Sequence, residues 1–355
     1  MSYLYQSLPQ LGWSHFFQQQ LSLEEWQTVI PSRVTAVHGQ IIDIINEQGQ
    51  QQLPLPGNWQ QLDIAERPTV GDWLVLNRET GKPQRVLARK SLFKRKAAGI
   101  EAKDQLIAAN IDTLFIVTSC NQDFNLSRLE RYLALAYEAE VEPIVVLTKA
   151  DLVDSVAEYV NQARTLKRDL IVEAVNSLDN QSASVLSCWC GTGQTVALTG
   201  SSGVGKSTLI NTLCQQSDQT TANIREDDAK GRHTTTSRSL HFLPEGGILI
   251  DNPGMRELQL VDCEDGLSNL FEEIEQLVQQ CKFNNCQHTT EKGCAVIQAI
   301  ENGDLDQHRL ASYQKLKTEQ MRNSETISER RTREKGFVKM CRNVQSAKRE
   351  RHDKF

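Results

Sequence analysis

Two hydrophobic patterns divide the chain. Between residues 33 and 98, short apolar stretches are interrupted by glycines, as in small antiparallel strands. The candidate strand regions are 34–45, 51–57, 70–77 and 83–95. This pattern predicts an oligonucleotide-binding (OB) type β-barrel of about five strands. Residues 1–32 are expected to be an N-terminal extension of the barrel.

From residue 104 to 270 the pattern changes to apolar runs that alternate with stretches of helical spacing. The apolar runs lie in segments 110–119, 142–151, 169–177, 195–200 and 246–254, and the helical stretches are 126–140, 154–166 and 207–214. Such alternation predicts an α/β domain with a parallel sheet covered by helices. Residues 271–355 are expected to form a C-terminal helical domain with a basic tail, so the chain is predicted to be multidomain.

Composition narrows the class of protein. The chain has 355 residues, of which 39% are hydrophobic and 24% charged, and its nine cysteines are few for a disulfide framework. No apolar run approaches the roughly 20 residues of a membrane helix, and the N-terminus lacks a signal-peptide pattern. We therefore expect a cytoplasmic protein with no membrane association, whose clustered cysteines are metal ligands.

Charge is unevenly distributed along the chain. The net charge is −6, yet residues 33–98 carry ten Lys/Arg against six Asp/Glu, and residues 315–355 carry thirteen against six. From Arg85 to Lys96 there are six basic residues, no acidic ones, and Phe93. Basic ends around an acidic middle favour a polyanionic partner, although two solvated charged faces fit the same distribution. A basic strand with an aromatic suits phosphates and stacked bases, although a single Phe is weak evidence for stacking and Phe93 is expected in the core.

The first chemical motif is a phosphate loop. Residues 200–207 match G-x-x-x-x-G-K-S, follow a predicted strand and open a predicted helix. Backbone N–H groups would wrap the phosphates, Lys206 would bridge the β- and γ-phosphates, and the Ser207 hydroxyl would bind Mg²⁺. The residues expected to contact nucleotide here are Gly200, Ser201, Ser202, Gly203, Val204, Gly205, Lys206, Ser207 and Thr208.

A second motif, D-x-x-G, follows the apolar strand that ends at Asp251. Asp251 is placed to hold Mg²⁺, and the Gly254 N–H is placed to contact the γ-phosphate. Between the two motifs lies a polar stretch, 218–237, predicted to be a mobile loop. Thr235 on this loop is the candidate to complete the Mg²⁺ shell, although the stretch is also compatible with a plain Ser/Thr-rich loop.

A third motif, Thr148-Lys149-Ala150-Asp151, directly follows a buried strand. One carboxylate at Asp151 can accept both the N1–H and the N2–H₂ of guanine, whereas adenine would leave it unpaired. The Lys149 stem can lie along the base. This base-reading loop precedes the phosphate loop, so the two halves of a GTPase are exchanged in sequence, which is a circular permutation.

With these motifs in place, the chain resembles the ribosome small-subunit-dependent GTPase A (RsgA) family over nearly its whole length from about residue 33. The resemblance implies an N-terminal OB barrel, a circularly permuted GTPase domain and a C-terminal zinc domain. It also implies GTP hydrolysis to GDP late in small-subunit assembly, stimulated by the 30S subunit and involving its 16S rRNA. Two departures are Thr148, where Asn is usual, and Asn176-Ser177, a loose match to the loop that backs the base.

The metal site can be recognised independently. Cys281, Cys286, His288 and Cys294 gather three thiols and an imidazole within fourteen residues. Such a set can close a tetrahedral structural zinc site without an open position for water. We expect one structural Zn²⁺ here, in addition to Mg²⁺ bound with GTP.

The group that activates water is the least defined. The position after D-x-x-G, where many GTPases carry a glutamine, is Met255. His233, two residues before Thr235, is the candidate to orient water, and packing or RNA contact is its alternative. We therefore assign catalysis to His233, Lys206 and Asp251.

Two rival functions share the phosphate loop. A P-loop ATPase or small-molecule kinase is disfavoured by Asp151. An RNA-binding module with a purely structural nucleotide is disfavoured by the complete set of Lys206, Ser207 and Asp251. The GTPase is expected to be a monomer.

Overall fold

The structure is a computed structural model that describes residues 6–96, 104–214, 239–251, 255 and 262–324. Its elements form an antiparallel N-terminal sheet, a mainly parallel central sheet and a C-terminal group of helices, which confirms the predicted fold class. No helix among these residues is both long and apolar enough to cross a membrane.

The N-terminal sheet has five strands in the order β3-β2-β1-β4-β5, and all its neighbouring strands are antiparallel. They are β1 Val29–His38, β2 Ile41–Asn46, β3 Gly49–Pro54, β4 Trp73–Asn77 and β5 Pro83–Val86. The region 83–95, predicted as one strand region of the barrel, is interrupted. Its second half, β6 Leu92–Lys96, pairs instead with β7 Asp104–Ala109 in a separate two-stranded sheet.

The N-terminal extension contributes to the core of this sheet. It contains the short helices α1 His15–Gln18 and α2 Leu23–Thr28. Leu11 and Phe17 are buried in one cluster with Trp73, and the Trp13 and Trp73 rings lie 4.8 Å apart in an edge-on arrangement. Because β1 already begins at Val29, regular pairing crosses the predicted boundary at residue 33.

The basic run from Arg85 to Lys96 differs from expectation. Arg85 pairs with Glu25 at 2.8 Å, Arg89 with buried Asp72 at 2.7 Å, and Lys90 with Asp112 at 3.6 Å. Phe93 is only 2% exposed and belongs to the core, which is the place that the sequence favoured for it over base stacking. Much of this positive charge is used to hold the fold together, which a count of charges cannot reveal.

The central sheet has the order β10-β9-β8-β11-β13-β12, in which only β12 is antiparallel to its neighbour. The strands are β8 Thr113–Ser119, β9 Glu142–Thr148, β10 Ile171–Ala174, β11 Thr195–Thr199, β12 Ser239–Phe242 and β13 Ile248–Asp251. The helices around it are α3 Leu126–Glu138, α4 Val156–Arg164, α5 Asn180–Ala183 and α6 Lys206–Leu213. Every residue of β8 and β11 is buried, as in strands covered on both faces.

Strand register brings the predicted motifs to one edge of the sheet. Thr148 at the end of β9 lies opposite Ser119 of β8, and Ile250 of β13 lies opposite Ala197 of β11. Because the strands are parallel, the base loop, the phosphate loop and Asp251 all leave the sheet at its carboxyl edge, where ligands bind in open α/β sheets.

A buried arginine joins the N-terminal sheet to the central one. Arg33 on β1 is 1% exposed and donates to the Leu11 carbonyl at 2.6 Å and to the Thr195 Oγ1 at 2.8 Å. Burial lowers the pKa of Arg33 to about 10, although Asp112 and Asp72 oppose this shift. The guanidinium thus connects the extension, β1 and the first residue of β11.

The C-terminal helices pack on α3. They are α7 Glu264–Leu270, α8 Glu272–Val278, α9 Ala295–Asn302 and α10 Gln307–Ser324. Gly266 on α7 approaches α3 so closely that a Cβ there would lie 2.1 Å from the Ala134 carbonyl oxygen. The same core extends from Leu133 of α3 to Val296 of α9, so the C-terminal helices are a continuation of the central domain's packing.

Candidate functional site

The phosphate loop has the backbone that its glycines predict. Gly200 has φ +139°, and a Cβ at this position would lie 2.1 Å from the Val117 carbonyl oxygen. Gly205 has φ +97° and caps the N-terminus of α6. Only glycine fits the first position without displacing β8, and it is the residue that most readily adopts the second conformation. The loop therefore wraps tightly around the helix N-terminus, where anions bind.

Lys206 is held within this loop. Its side chain is 6% exposed, and Nζ donates to the Gly200 carbonyl at 2.8 Å and to the Ser201 carbonyl. The Lys206 ammonium group is thus held by two carbonyls of the phosphate loop. Phosphate oxygens can replace these carbonyl acceptors when nucleotide enters.

The base loop is attached to the phosphate loop by two hydrogen bonds. Thr148 is fully buried, and its hydroxyl donates to the Val204 carbonyl, with the Thr118 carbonyl a second acceptor at 3.2 Å. Lys149 Nζ donates to the Gly203 carbonyl at 3.0 Å. The Lys149 backbone has φ +57°. Residues other than glycine rarely adopt this left-handed conformation, and when they do it is often at a functional site. It turns the chain so that exposed Asp151 stands at the tip of the loop.

The loop after β10 carries the other predicted base contacts. The Asn176 amide donates to Ser182 Oγ at 2.8 Å, and the Ser177 carbonyl accepts from Thr212 Oγ1 of α6 at 2.6 Å. Ser177 is 7% exposed, yet its own hydroxyl has no hydrogen-bond partner within the described part of the chain. A Cβ on Gly205 would lie 3.6 Å from both Ser177 Oγ and Thr148 Oγ1. A buried hydroxyl without a partner at this place fits a site that is completed by a polar ligand.

Asp251 ends β13 and is half-buried, whereas the other predicted groups on this side, Gly254, Thr235 and His233, lie outside the described residues. Met255 is fully buried, and its carbonyl accepts from Thr199 Oγ1 at 2.7 Å. A packed methionine cannot orient water, which agrees with the expectation that another group does so.

One contact to the phosphate loop has no signal in the sequence. Arg128 on α3 donates through Nη1 to the Ser201 hydroxyl and to Asp123 Oδ1 at 2.9 Å. Arg128 and Ser201 are 73 residues apart, and an arginine on an amphipathic helix gives no signal that distinguishes it from a solvated one.

The predicted metal ligands come together. One donor atom from each of Cys281, Cys286, His288 and Cys294 lies within 4.8 Å of all the others. Cys281 Sγ and Cys294 Sγ are 3.8 Å apart, which is about the separation of two thiolates in a tetrahedron with zinc–sulfur bonds of about 2.3 Å. The Glu291 carboxylate accepts from the Gln287 and Thr289 amides at 2.8 Å each and so orders the intervening loop. Three thiols and one imidazole form a donor set that fits a closed metal site.

A phosphate loop between β11 and α6, a carboxylate at the end of the adjacent β13 and a base loop at the end of β9 define a P-loop GTPase. Because the base-loop strands precede the phosphate-loop strand, it is a circularly permuted one. Two solved structures share the fold, and each is covered over 97% of its length. They are YjeQ from Thermotoga maritima, with TM-score 0.61, 24% identity and 81% of this chain covered, and YloQ, a circularly permuted GTPase, with TM-score 0.58, 22% identity and 84% covered.

Sequence comparison identifies the family. The RsgA GTPase family model matches residues 86–261. The chain is 54% identical over 348 residues to the small ribosomal subunit biogenesis GTPase RsgA 2 of Vibrio parahaemolyticus, which covers 98% of this chain and 95% of that protein. It is 50% identical to the RsgA protein of Mesorhizobium japonicum, covering 90% of this chain and 91% of that one. The chain therefore belongs to the RsgA GTPase family, and it is a GTP hydrolase.

Proposed function

We propose that this GTPase binds the small (30S) ribosomal subunit and hydrolyses GTP as a late step in the assembly of that subunit. The observation that carries the proposal is the near full-length similarity to relatives named for small-subunit biogenesis, together with the base loop, the phosphate loop and Asp251 at one sheet edge. A cytoplasmic location follows from this role, since the subunit is assembled there.

The nucleotide contacts are proposed as follows. The phosphate loop from Gly200 to Thr208 binds the phosphates, Asp151 reads guanine, and Asn176 and Ser177 border the base. Mg²⁺ enters with GTP, and Ser207, Asp251 and Thr235 are its proposed protein ligands, with Gly254 on the γ-phosphate. The Ser177 hydroxyl, which has no protein partner among the described residues, gives independent support for a polar ligand at the base end.

Zinc is the metal proposed for the cluster of Cys281, Cys286, His288 and Cys294. Thiolates select soft or borderline ions, and a closed set of four suits a structural ion. When bound, the ion cross-links the loop between α8 and α9. The division of the chain at residues 32, 98, 104 and 270 is likewise a proposal, in which the C-terminal unit from 271 contains the zinc site.

Hydrolysis is proposed to depend on His233 as the group that orients water, beside Lys206 and Asp251. Met255 is packed in the core and leaves this task to another residue. Stimulation by the small subunit would then consist of placing His233 against the γ-phosphate.

The surface that meets 16S rRNA is proposed to include the basic C-terminal tail and the N-terminal barrel. The tail carries the larger excess of positive charge, with thirteen Lys/Arg against six Asp/Glu in residues 315–355. Because Arg85, Arg89 and Lys90 pair with acidic side chains of this chain, the barrel contributes less free charge than its sequence indicates. The protein is proposed to act as a monomer.

The test is GTP hydrolysis by the purified protein with and without purified 30S subunits, with 50S subunits as the matched control. Turnover should rise with 30S and not with 50S, and binding to 30S should weaken strongly with added salt. His233→Ala should retain GTP and 30S binding while losing the stimulated turnover. Equal turnover with either subunit would overturn the assignment to the small subunit. Undiminished stimulation in His233→Ala would remove only this residue from the mechanism.

A further inference from the structure

Helix α3 contacts the phosphate loop at its first turn. The helix is capped by Asn125, whose side chain accepts from the Arg128 amide at 3.0 Å. The Arg128 guanidinium is held by Asp123 and donates to the Ser201 hydroxyl. Ser201 is the residue whose carbonyl also accepts from Lys206 Nζ. The same loop residue is therefore tied to the phosphate-binding lysine through its backbone and to α3 through its side chain.

Further along, α3 is joined to the C-terminal helices by a buried ion pair. Glu130 and Arg309 lie 3.0 Å apart with side chains that are 4% and 11% exposed. Arg309 also donates to Glu273 at 2.8 Å and to the Leu270 carbonyl at 2.6 Å. Its guanidinium carbon lies 4.1 Å from the centroid of the Phe271 ring. Separating a buried pair of this kind leaves uncompensated charge, so α3 and these helices are expected to move together.

Three more contacts extend the connection. Arg131 pairs with Glu319 of α10 at 2.6 Å, and Glu138 accepts from the Gly266 amide at 2.9 Å. Cys263 Sγ lies 3.4 Å from the Ala134 carbonyl. The apolar core that contains Leu129 and Leu133 of α3 also contains Cys294 of the metal cluster. A continuous packed path thus runs from Ser201 through α3 to the metal cluster.

We propose that Arg128 is a positioning residue through which α3 couples the phosphate loop to the C-terminal helices. When phosphates draw Lys206 away from the Ser201 carbonyl, Ser201 is freed to shift, and its hydroxyl carries Arg128 and the start of α3 with it. Coupling between two sites is reciprocal, so a change at the C-terminal contacts also changes nucleotide affinity. The proposal depends only on nucleotide binding. It does not depend on the proposed action on the small subunit, so each can be tested without the other.

The forward test is hydrogen exchange of the full-length protein with and without saturating GDP, followed in peptides from 264–278 and 307–324. In the unchanged protein GDP should alter exchange there by roughly threefold or more, the scale of coupling that single residues typically modulate. Arg128→Ala should bind GDP yet lose this response, and Arg128→Lys should keep part of it. Arg164→Ala, which removes an exposed arginine from α4, is the control and should respond like the unchanged protein.

The reverse test uses the affinity for GDP carrying a fluorescent ribose label. Glu319→Ala cuts the Arg131 pair and should change this affinity in the unchanged background but not in Arg128→Ala. A full exchange response in Arg128→Ala, or no response in the unchanged protein, would overturn the proposal. So would loss of all GDP binding in both Arg128→Ala and Arg128→Lys, because Arg128 would then be part of the binding site itself.

Discussion

The Thr148 hydroxyl donates to the Val204 carbonyl across 56 residues of chain, and so fastens the base loop to the phosphate loop. Asparagine, which is usual at this position among GTPases, also carries a side-chain hydrogen-bond donor. The threonine hydroxyl therefore supplies a connection between the loops rather than a direct contact to the base.

Removing this hydroxyl should weaken nucleotide binding. Thr148→Val keeps the shape of the side chain but leaves the buried Val204 carbonyl without this donor, a loss of about 1 kcal/mol or about fivefold in GDP affinity. Thr148→Ser keeps the donor and is the matched control. Calorimetric titration with GDP measures both, and equal affinity of the valine and serine variants would contradict the proposed role.

Base preference should depend on Asp151. Asp151→Asn replaces one carboxylate oxygen by an N–H₂ donor that faces the N1–H of guanine, so the preference for GTP over ATP should fall by tenfold or more, about 1.4 kcal/mol. Xanthosine triphosphate, which has a carbonyl in place of the 2-amino group, should gain affinity. Competition of each nucleotide against labelled GDP provides the measurement. Glu158→Gln, a charge-matched change on α4, should leave the preference unaltered.

The metal cluster should hold one ion per chain. Cys286→Ser should lose most of the metal and lower the unfolding temperature of the C-terminal helices, since Cys294 lies in their core and metal binding contributes to folding. Cys188→Ser, which changes an exposed cysteine outside the cluster, should retain the metal. Elemental analysis with circular dichroism melting tests this, and full metal content in Cys286→Ser would exclude the tetrahedral set.

Arg33 should be required for stability at the junction between the two sheets. Arg33→Met fills similar space but leaves the Leu11 carbonyl and Thr195 hydroxyl without their donor, which should cost about 2 kcal/mol or more of unfolding free energy. Arg33→Lys keeps the charge with fewer donors. Its unfolding free energy should lie between that of Arg33→Met and that of the unchanged protein. Urea unfolding measures the effect, and a methionine variant as stable as the unchanged protein would show that the buried guanidinium is not needed.

Glu130 should give stability a measurable pH dependence. Burial raises the pKa of Glu130 above its usual 4.5, and Arg309 only partly opposes this. The folded protein therefore holds the proton to higher pH than the unfolded chain, so this group's contribution to stability falls as pH rises through the interval between the two pKa values. Glu130→Gln lacks this pH-dependent contribution, and its stability relative to the unchanged protein should increase as the pH rises above about 4.5. A difference that is constant with pH would contradict the shift.

Much of this architecture could be predicted because its signals are local. A glycine-rich turn between an apolar strand and a helix, or four metal-binding side chains within fourteen residues, is visible in the sequence alone. The parallel sheet followed from the alternation of apolar runs and helical stretches, and the order of motifs along the chain implied the permutation.

What could not be predicted involves partners that are distant in sequence. The basic residues Arg85 and Arg89 were expected to face RNA, but Glu25 and Asp72 neutralise them from 60 and 17 residues away. Arg128 gave no sign of its contact with Ser201, and Arg33 none of its contact with Thr195. In each case the pairing depends on how separate elements pack, and residue type and spacing do not determine that.

The permuted strand order also determines how the molecule would bear a mechanical load. The chain enters the central sheet at β8 and leaves it at β13, and these strands flank β11 on either side, all three parallel. A pull applied through the chain on either side of this sheet would draw β8 from its amino end and β13 from its carboxyl end. The hydrogen bonds on both sides of β11 would then be loaded together in shear instead of opening one at a time. The strand that carries the phosphate loop would thus be among the last to yield if the two ends of the protein were held by a large particle that changes shape.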